Sequence, residues 1–247
     1  EVDFEVELVI ADDASTDRTS EVIQYYIDTH PRGSWIKYTR HLANKGMMGN
    51  FIWALERCKG EFIALCDGDD YWICINKLAI QVKFLMTNPN VVLSFHQVNI
   101  LYPDGKIEYV KQVKKNIDIQ NGGLLDLALY GNFIHTPSVV FKKNFDFIPQ
   151  YFMRLEVGDF FLYLFVCRES RFIKLDFLGA NYRYGVGYFS RESIALIKSK
   201  FKRSLLIASQ NENNTFLKLI LFFRVYQDDL FYRKGVINNG ISSQSLF

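Results

Sequence analysis

No two cysteines in this chain are spaced as Cys-x-x-Cys, and none stands at zinc-finger intervals; Cys58, Cys66, Cys74 and Cys167 are scattered. That speaks against a disulfide-stapled or zinc-held fold and for free thiols in a reducing, cytosolic compartment. Cys66 and Cys167 fall in apolar runs and are expected to be buried. No stretch reaches the roughly 20 apolar residues that a membrane span needs, and no signal peptide is visible. Charge of one sign is missing too. The 29 Lys and Arg against 27 Asp and Glu leave +2, which argues against nucleic acid as a partner. There is no internal repeat, no low-complexity segment, and no Gly-rich loop bearing Lys or Arg of the kind a nucleotidyltransferase uses. The first residue is Glu1 and a strand follows almost at once, so the chain reads as a fragment whose first elements lie upstream.

What is present fits a globular α/β protein. The 247 residues suit one large domain, and 49% hydrophobic with 23% charged residues can build a sizeable core. Aromatics are plentiful at 16%, with 22 Phe and 14 Tyr. Those rings could fill a core, stack on a base or sugar, or press on a partner.

The organising stretch is Glu61 to Trp72 (EFIALCDGDDYW). Its five apolar residues, Phe62 to Cys66, read as a buried strand that runs into Asp67, Asp69 and Asp70. Such a strand delivers Asp67 and Asp69 to its carboxyl end, where open α/β sheets bind ligands. Clustered carboxylates repel one another unless a cation sits among them. A hard ion such as Mg²⁺ or Mn²⁺ suits oxygen ligands of this kind. Taken alone, Asp-Gly-Asp-Asp also suits an acidic turn that caps a helix.

Around it, strands and helices alternate. Phe4 to Ala11 is a strand ending in Asp12-Asp13-Ala14-Ser15-Thr16-Asp17, and helical spacing follows at Val22, Ile23, Tyr26 and Ile27. Trp35 to His41 is a second strand. Asn44 to Asn50 opens a helix that buries Phe51, Ile52 and Leu55, with Gly60 as its cap. Asn76 is placed to cap a helix with Leu78, Val82 and Leu85 as its stripe. This rhythm predicts right-handed crossovers and a mainly parallel sheet flanked by helices. It gathers Asp12, Asp13, Asn44, Asp67 and Asp69 in one crevice.

The pattern then changes. Val91 to Leu101 and Ile107 to Val113 read as a hairpin, Leu124 to Tyr130 as a short helix, and Phe133 to Phe141 as extended, with Pro137 at an edge or bend. Asp159 starts a very apolar helix, Phe160 to Cys167, where it could serve as an N-cap and still face a cleft. Phe172 to Tyr184 is a last strand, followed by the loop Arg183 to Ser190. Beyond Arg191 the chain is helical, and Phe216 to Tyr226 (FLKLILFFRVY) has two readings: a cover for the core or a dimer contact, and an amphipathic surface for an anionic membrane. The tail, Asn238 to Phe247, is expected to fray.

These residues resemble the family 2 glycosyltransferases, which have the GT-A fold, a Rossmann-type mixed sheet. The resemblance spans about Leu8 to Ser190: Asp12 to Asp17, Asn44 to Asn50, Cys66 to Trp72 with Lys77-Leu78 and Gln81, Gly158-Asp159, and Tyr182-Arg183 through Ser190, five pieces in the family's order. It implies a catalytic domain over 1–190, lacking the family's first strand and helix, and a helical extension over 191–247. It also implies an inverting, hexosyltransferase-type enzyme. Such an enzyme moves a sugar from a nucleotide-diphosphate sugar, expected to be a UDP-sugar, to a hydroxyl of a carbohydrate or lipid-linked acceptor in bacterial cell-envelope polysaccharide synthesis. The cysteines point to the cytoplasm, and the mixed basic and apolar positions beyond Arg191 to core or dimer packing or to peripheral contact at the inner face of the membrane.

Carried over residue by residue, Asp13 accepts from the ring N–H of a uracil-like base, with Asp12 beside it and Ser15 and Asn44 in the two nucleotide loops. Asp67 faces the ribose or the metal, Asp69 holds Mg²⁺ or Mn²⁺ against the diphosphate, and Asp159 deprotonates the acceptor hydroxyl. Gly49 stands where many relatives have Arg and Gly185 where His is frequent, so Arg183 or Ser190 is expected to supply a phosphate contact. His135 lies where acceptors dock in the family. These departures also motivate an alternative, a degenerate nucleotide-binding or scaffold protein without transfer activity.

Overall fold

The structure is a computed structural model that describes residues 2–109, 120–187 and 190–235. The apolar strand Leu8–Asp12 (β1) leads through an acidic loop to Thr19–Thr29 (α1). Ile36–Arg40 (β2) then returns parallel to β1, with Leu8 opposite Ile36 and Asp12 opposite Arg40. Helix Gly46–Arg57 (α2) buries Met48, Gly49, Ile52 and Leu55, while Phe51, expected on the buried side with Ile52 and Leu55, is half-buried. It is tied to β1 by the Asn50 amide, which donates to the Ala11 carbonyl at 2.9 Å.

Next come Phe62–Ala64 (β3), Tyr71–Trp72 (β4) and Lys77–Thr87 (α3). Val91–Leu101 (β5) turns back as Ile107–Tyr109 (β6), the expected hairpin; the rest of the returning strand, 110–113, lies outside the described residues, as does the tail. Asn121–Gly122 (β7) precedes Leu124–Tyr130 (α4), the short helix anticipated at those residues. Val140–Lys142 (β8), Asp159–Val166 (α5), Arg171–Arg183 (β9), Ile194–Asn211 (α6) and Thr215–Gly235 (α7) complete the chain.

The larger sheet runs β3-β8-β5-β9-β4, with β6 on β5 and β7 on β9, while β1 and β2 form a two-stranded sheet of their own. The two parallel ladders, β1–β2 and β5–β9, are the long ones; the antiparallel ladders are short, two or three residue pairs each. The result is a mixed α/β architecture. Strand β5 is buried continuously from Val92 to Val98, as a central strand covered on both faces must be.

Aromatic rings fill the interior. Phe95, Phe133 and Phe172 pack at centroid distances of 5.7 to 6.1 Å, and Phe201 of α6 closes on Phe160 of α5 at 5.1 Å. Leu205 and Ala208 of α6 and Leu217, Leu221 and Val225 of α7 belong to the same apolar cluster as α5.

Four local expectations are corrected. Cys66 is exposed, because the β3 ladder ends at Ala64 and the chain has already turned toward the loop. Gly60 is not the cap of α2. That helix ends at Arg57, and the Gly60 N–H is taken instead by Glu7 Oε1 at 3.1 Å. The Asn76 side chain makes no capping hydrogen bond; the start of α3 is closed by the turn from Lys77 N–H to the Cys74 carbonyl. Phe133 to Phe141 is not extended throughout: it is interrupted by a 3₁₀ turn, Thr136–Ser138, the bend expected at Pro137, whose fixed φ and missing N–H are tolerated there.

Candidate active site

Two groups of predicted residues form, one on each sheet. On the small sheet, Asp12 is buried and faces inward. Its carboxylate accepts from the Ser15 N–H at 2.8 Å and the Tyr38 hydroxyl at 2.6 Å, with Arg40 at 3.8 Å. Burial raises the acid's pKa, but these partners outweigh it and hold Asp12 below the usual carboxylate range. Asp12 therefore anchors the loop from within, directly beside Asp13. Asp13 is half-buried and accepts the Lys45 N–H at 2.6 Å, while the exposed Asn44 donates its amide to the Asp13 carbonyl at 3.1 Å. The two candidate nucleotide loops are thus joined through Asp13, with Ser15 at their edge.

The second group surrounds the acidic loop after β3. One oxygen from each of Asp67, Asp69 and Asp70 lies within 4.8 Å of the others. Asp70, part of the expected carboxylate cluster but given no role of its own there, is buried. It accepts the Arg183 N–H at 2.8 Å on Oδ1, and its buried Oδ2 has no partner among the described residues. Burial pushes the Asp70 carboxyl up to about 6. Asp67 reaches solvent from a crowded floor. Loss of water around it, then the charges of Asp159, Asp70 and Asp69, push its carboxyl up to about 7. A set of hard oxygens that raise one another's pKa, one of them orphaned, fits a divalent cation such as Mg²⁺ or Mn²⁺. Asp67 and Asp69 would hold it, with Asp70 as a third ligand.

Asp159 opposes this cluster. It is the first residue of α5, half-buried, and not the N-cap, a position occupied by Gly158. Its Oδ2 accepts from the Asn132 amide at 3.0 Å and its Oδ1 from the Phe160 N–H at 2.7 Å. Burial raises its pKa, and those two bonds pull it partly back. The Thr136 side chain lies beside Asp67 and Asp159 and acts against the rise that burial causes in both. Tyr182 stacks edge-on to His135 at 5.1 Å, and burial pushes the half-buried His135 down to about 4, so this histidine is neutral near pH 7.

The loop that follows β9 packs directly on the cluster. Arg183 donates from Nε to the Asp69 carbonyl, and a Cβ on Gly187 would lie 2.0 Å from Asp69 Oδ2. Ser190 steadies the turn by accepting the Gly185 N–H at 3.0 Å. Arg183 and Ser190 thus act here on the loop itself.

The structure therefore brings Asp67, Asp69, Asp159 and Arg183 together, and Asp12, Asp13, Ser15 and Asn44 into a second group. Among the described residues no hydrogen bond joins the groups. Helix α2 spans them, beginning just after Asn44 and packing Met48 and Phe51 against Gly158, where an added Cβ would lie 2.8 Å from Met48 Sδ. Asn132 and Thr136 escaped the sequence reading because they lie in a segment without periodicity. Their one signal was polarity inside an apolar run.

Residues 3–165 match the sequence profile of Glycosyl transferase family 2. An uncharacterised protein of Mycobacterium tuberculosis is 37% identical over 157 residues, 62% of this chain and 44% of that protein, so the chain spans less than half of that relative's length. A UDP-Glc:alpha-D-GlcNAc-diphosphoundecaprenol beta-1,3-glucosyltransferase of Escherichia coli is 35% identical over 82 residues, 33% of this chain and 30% of that one. In fold, the chain is similar to a mannosyltransferase from Pyrobaculum calidifontis in complex with GDP-Man and Mn²⁺. The TM-score is 0.58 at 17% identity, covering 95% of this chain and 67% of that one. A GT-A-like mixed sheet, acid-rich loops at its strand ends and a profile match over most of the length agree: the chain belongs to glycosyl transferase family 2.

Proposed function

We propose that this chain transfers a sugar from a nucleotide-diphosphate sugar to a hydroxyl of a carbohydrate or lipid-linked acceptor, with inversion at the anomeric carbon, in cell-envelope polysaccharide synthesis in the cytoplasm. The observation that carries the reading is Asp159, held by Asn132 and the Phe160 N–H and set against the Asp67–Asp70 cluster. A divalent cation bound at Asp67 and Asp69 would supply Lewis-acid stabilisation of the departing diphosphate.

The chain's own residues do the rest. Asp13, Ser15 and Asn44 form the edge that receives the base. Asp159 takes the proton from the acceptor hydroxyl as it attacks the face opposite the leaving group. General-base help of that kind is worth about 10² to 10⁴ in rate. The raised pKa of Asp159 brings its basicity nearer to working pH and strengthens it as a proton acceptor. The neutral His135 and Tyr182 wall the acceptor side. Residues 1–190 carry this chemistry, and Phe201, Leu205 and Ala208 of α6 with Leu217, Leu221 and Val225 of α7 pack over the α5 side.

The E. coli relative is named for a UDP-sugar and the Pyrobaculum neighbour holds a GDP-sugar. A UDP-sugar is the donor proposed here, since Asp13 suits the ring N–H of uracil. The test is turnover against a panel of UDP- and GDP-sugars with Mn²⁺ or Mg²⁺, followed by NMR of the product's anomeric centre. Inverted product from a UDP-sugar supports the proposal. Retained configuration overturns the role given to Asp159, and nucleotide binding without transfer to any acceptor favours the scaffold alternative.

A further inference from the structure

Helix α7 has two apolar faces. One is inward: Leu217, Leu221 and Val225 are buried in the core. The other is outward and largely aromatic: Phe216 is 60% exposed, Phe223 65%, Leu219 48%, Tyr226 46% and Phe222 42%. Their spacing of i, i+3, i+6, i+7 and i+10 places all five on one stripe. A surface helix of a globular protein needs only the inward stripe; a second one left in water marks a surface that something covers.

Charge says what covers it. Residues 191–247 hold nine Lys and Arg against four Asp and Glu, whereas 1–190 hold twenty against twenty-three. Lys200 pairs with Glu192 and Arg203 with Glu156. Lys198 and Lys202 lie one turn apart on α6, and Lys202 Nζ stands 5.9 Å from the centre of the Tyr226 ring, so this basic row borders the stripe. Lys218 is exposed on α7 itself. A second copy of the chain would bring the same positive segment against itself. An anionic surface would not be repelled.

We propose that the outer face of α7, with the basic row of α6, seats the protein on an anionic lipid surface. Aromatic and basic residues on one exposed face are the composition of a helix that lies in the interface. Among the described residues no helix is long and apolar enough to cross a membrane, so the contact is a docking and not a span. The position suits the chemistry. Arg224, on the inward side of α7, donates to the Ala128 carbonyl at 3.0 Å and sits against Gly131, whose neighbour Asn132 holds Asp159. A lipid-linked acceptor arriving at this face would meet the site wall that carries the base. In that respect the proposal rests on the transferase reading; the docking itself does not.

The test is flotation of the full 247-residue chain with vesicles of phosphatidylglycerol and phosphatidylcholine in equal parts, and with phosphatidylcholine alone, at low and high salt and without any sugar donor. Binding to the anionic vesicles that falls with salt is expected. Phe222→Ser with Phe223→Ser should weaken it at least about tenfold. Lys198→Gln with Lys202→Gln should weaken it roughly thirtyfold at low salt, without changing binding to the neutral vesicles. Circular dichroism checks the fold, and if the Phe pair loses helix the Lys pair decides. Equal binding to both vesicle types, no binding, or a concentration-dependent dimer by light scattering that the Phe pair abolishes would each overturn the proposal. Because no donor is present, failure here leaves the transfer assay untouched.

Discussion

The Asn132 amide holds Asp159 Oδ2 at 3.0 Å, while the Phe160 N–H holds the other oxygen at 2.7 Å. A carboxylate fixed at both oxygens is aimed and cannot swing, and the Asn132 bond also restrains the rise in pKa that burial causes. Replacing Asn132 by Ala removes both effects. Turnover should fall about tenfold or more, since positioned general-base help is worth 10² to 10⁴ overall. The acid limb of the pH–rate profile should move to higher pH, because Asp159 then loses its proton later. Equal loss at every pH would count against a role in setting the basicity of Asp159.

Gly187 makes a second test of the cluster. A methyl group there would sit 2.0 Å from Asp69 Oδ2, so either the loop or the carboxylate must shift. Gly187→Ala should weaken Mn²⁺-dependent nucleotide binding on the order of tenfold, the usual cost of disturbing the groups that orient a metal ligand. Calorimetry with and without Mn²⁺ reads it. Unchanged affinity would mean that Asp69 does not serve the metal.

Lys77 is buried beneath the acidic loop, its ammonium 4.5 Å above the Trp72 ring and, among the described residues, without a hydrogen-bond partner. Burial pushes it down to about 7. Unfolded, the group keeps its proton to about 10.4. Between those values the unfolded chain binds the extra proton, so this group's contribution to stability rises with pH across the window. Lys77→Met should flatten that rise and stabilise the protein at pH 7 by on the order of 1 to 3 kcal/mol. Denaturant melts at the two ends of the window measure the difference; parallel profiles for variant and parent would refute it.

Ala14 holds φ at 62° in the loop after β1, with its N–H donating to the Asp12 carbonyl at 2.9 Å. A side chain in that conformation costs roughly 1 to 2 kcal/mol, partly offset for glycine by its larger entropy loss on folding. Ala14→Gly should therefore raise the melting temperature, by a net of about 0.5 to 1 kcal/mol in stability. A lower melting temperature would show that the methyl group packs usefully.

Much of this was legible because periodicity survives into the structure. The strand and helix alternation up to Asn90, the short helix Leu124–Tyr130 and the apolar helix after Asp159 all follow from apolar spacing alone. The one crevice expected for Asp12, Asp13, Asn44, Asp67 and Asp69 divides into two groups, and the place of Asp159 beside Asp67 was implied by the family resemblance, not by spacing. What stayed hidden depends on tertiary contacts. Asp12 and Asp13 are neighbours at a strand end and differ only in which side of the chain each faces. The three-residue β8 inserts antiparallel between β3 and β5, too short to carry a pattern. Asn132 reaches Asp159 across 27 residues. The outer stripe of α7 was visible as apolar sequence, but only packing could say which of its faces the core takes.

The most direct test compares Asp159→Asn with Asp69→Asn, following sugar transfer and Mn²⁺-dependent nucleotide binding in the same preparations. The account predicts that Asp159→Asn keeps nucleotide affinity within about twofold yet loses transfer by 10² or more, whereas Asp69→Asn loses both. Transfer at the parent rate in Asp159→Asn would contradict it.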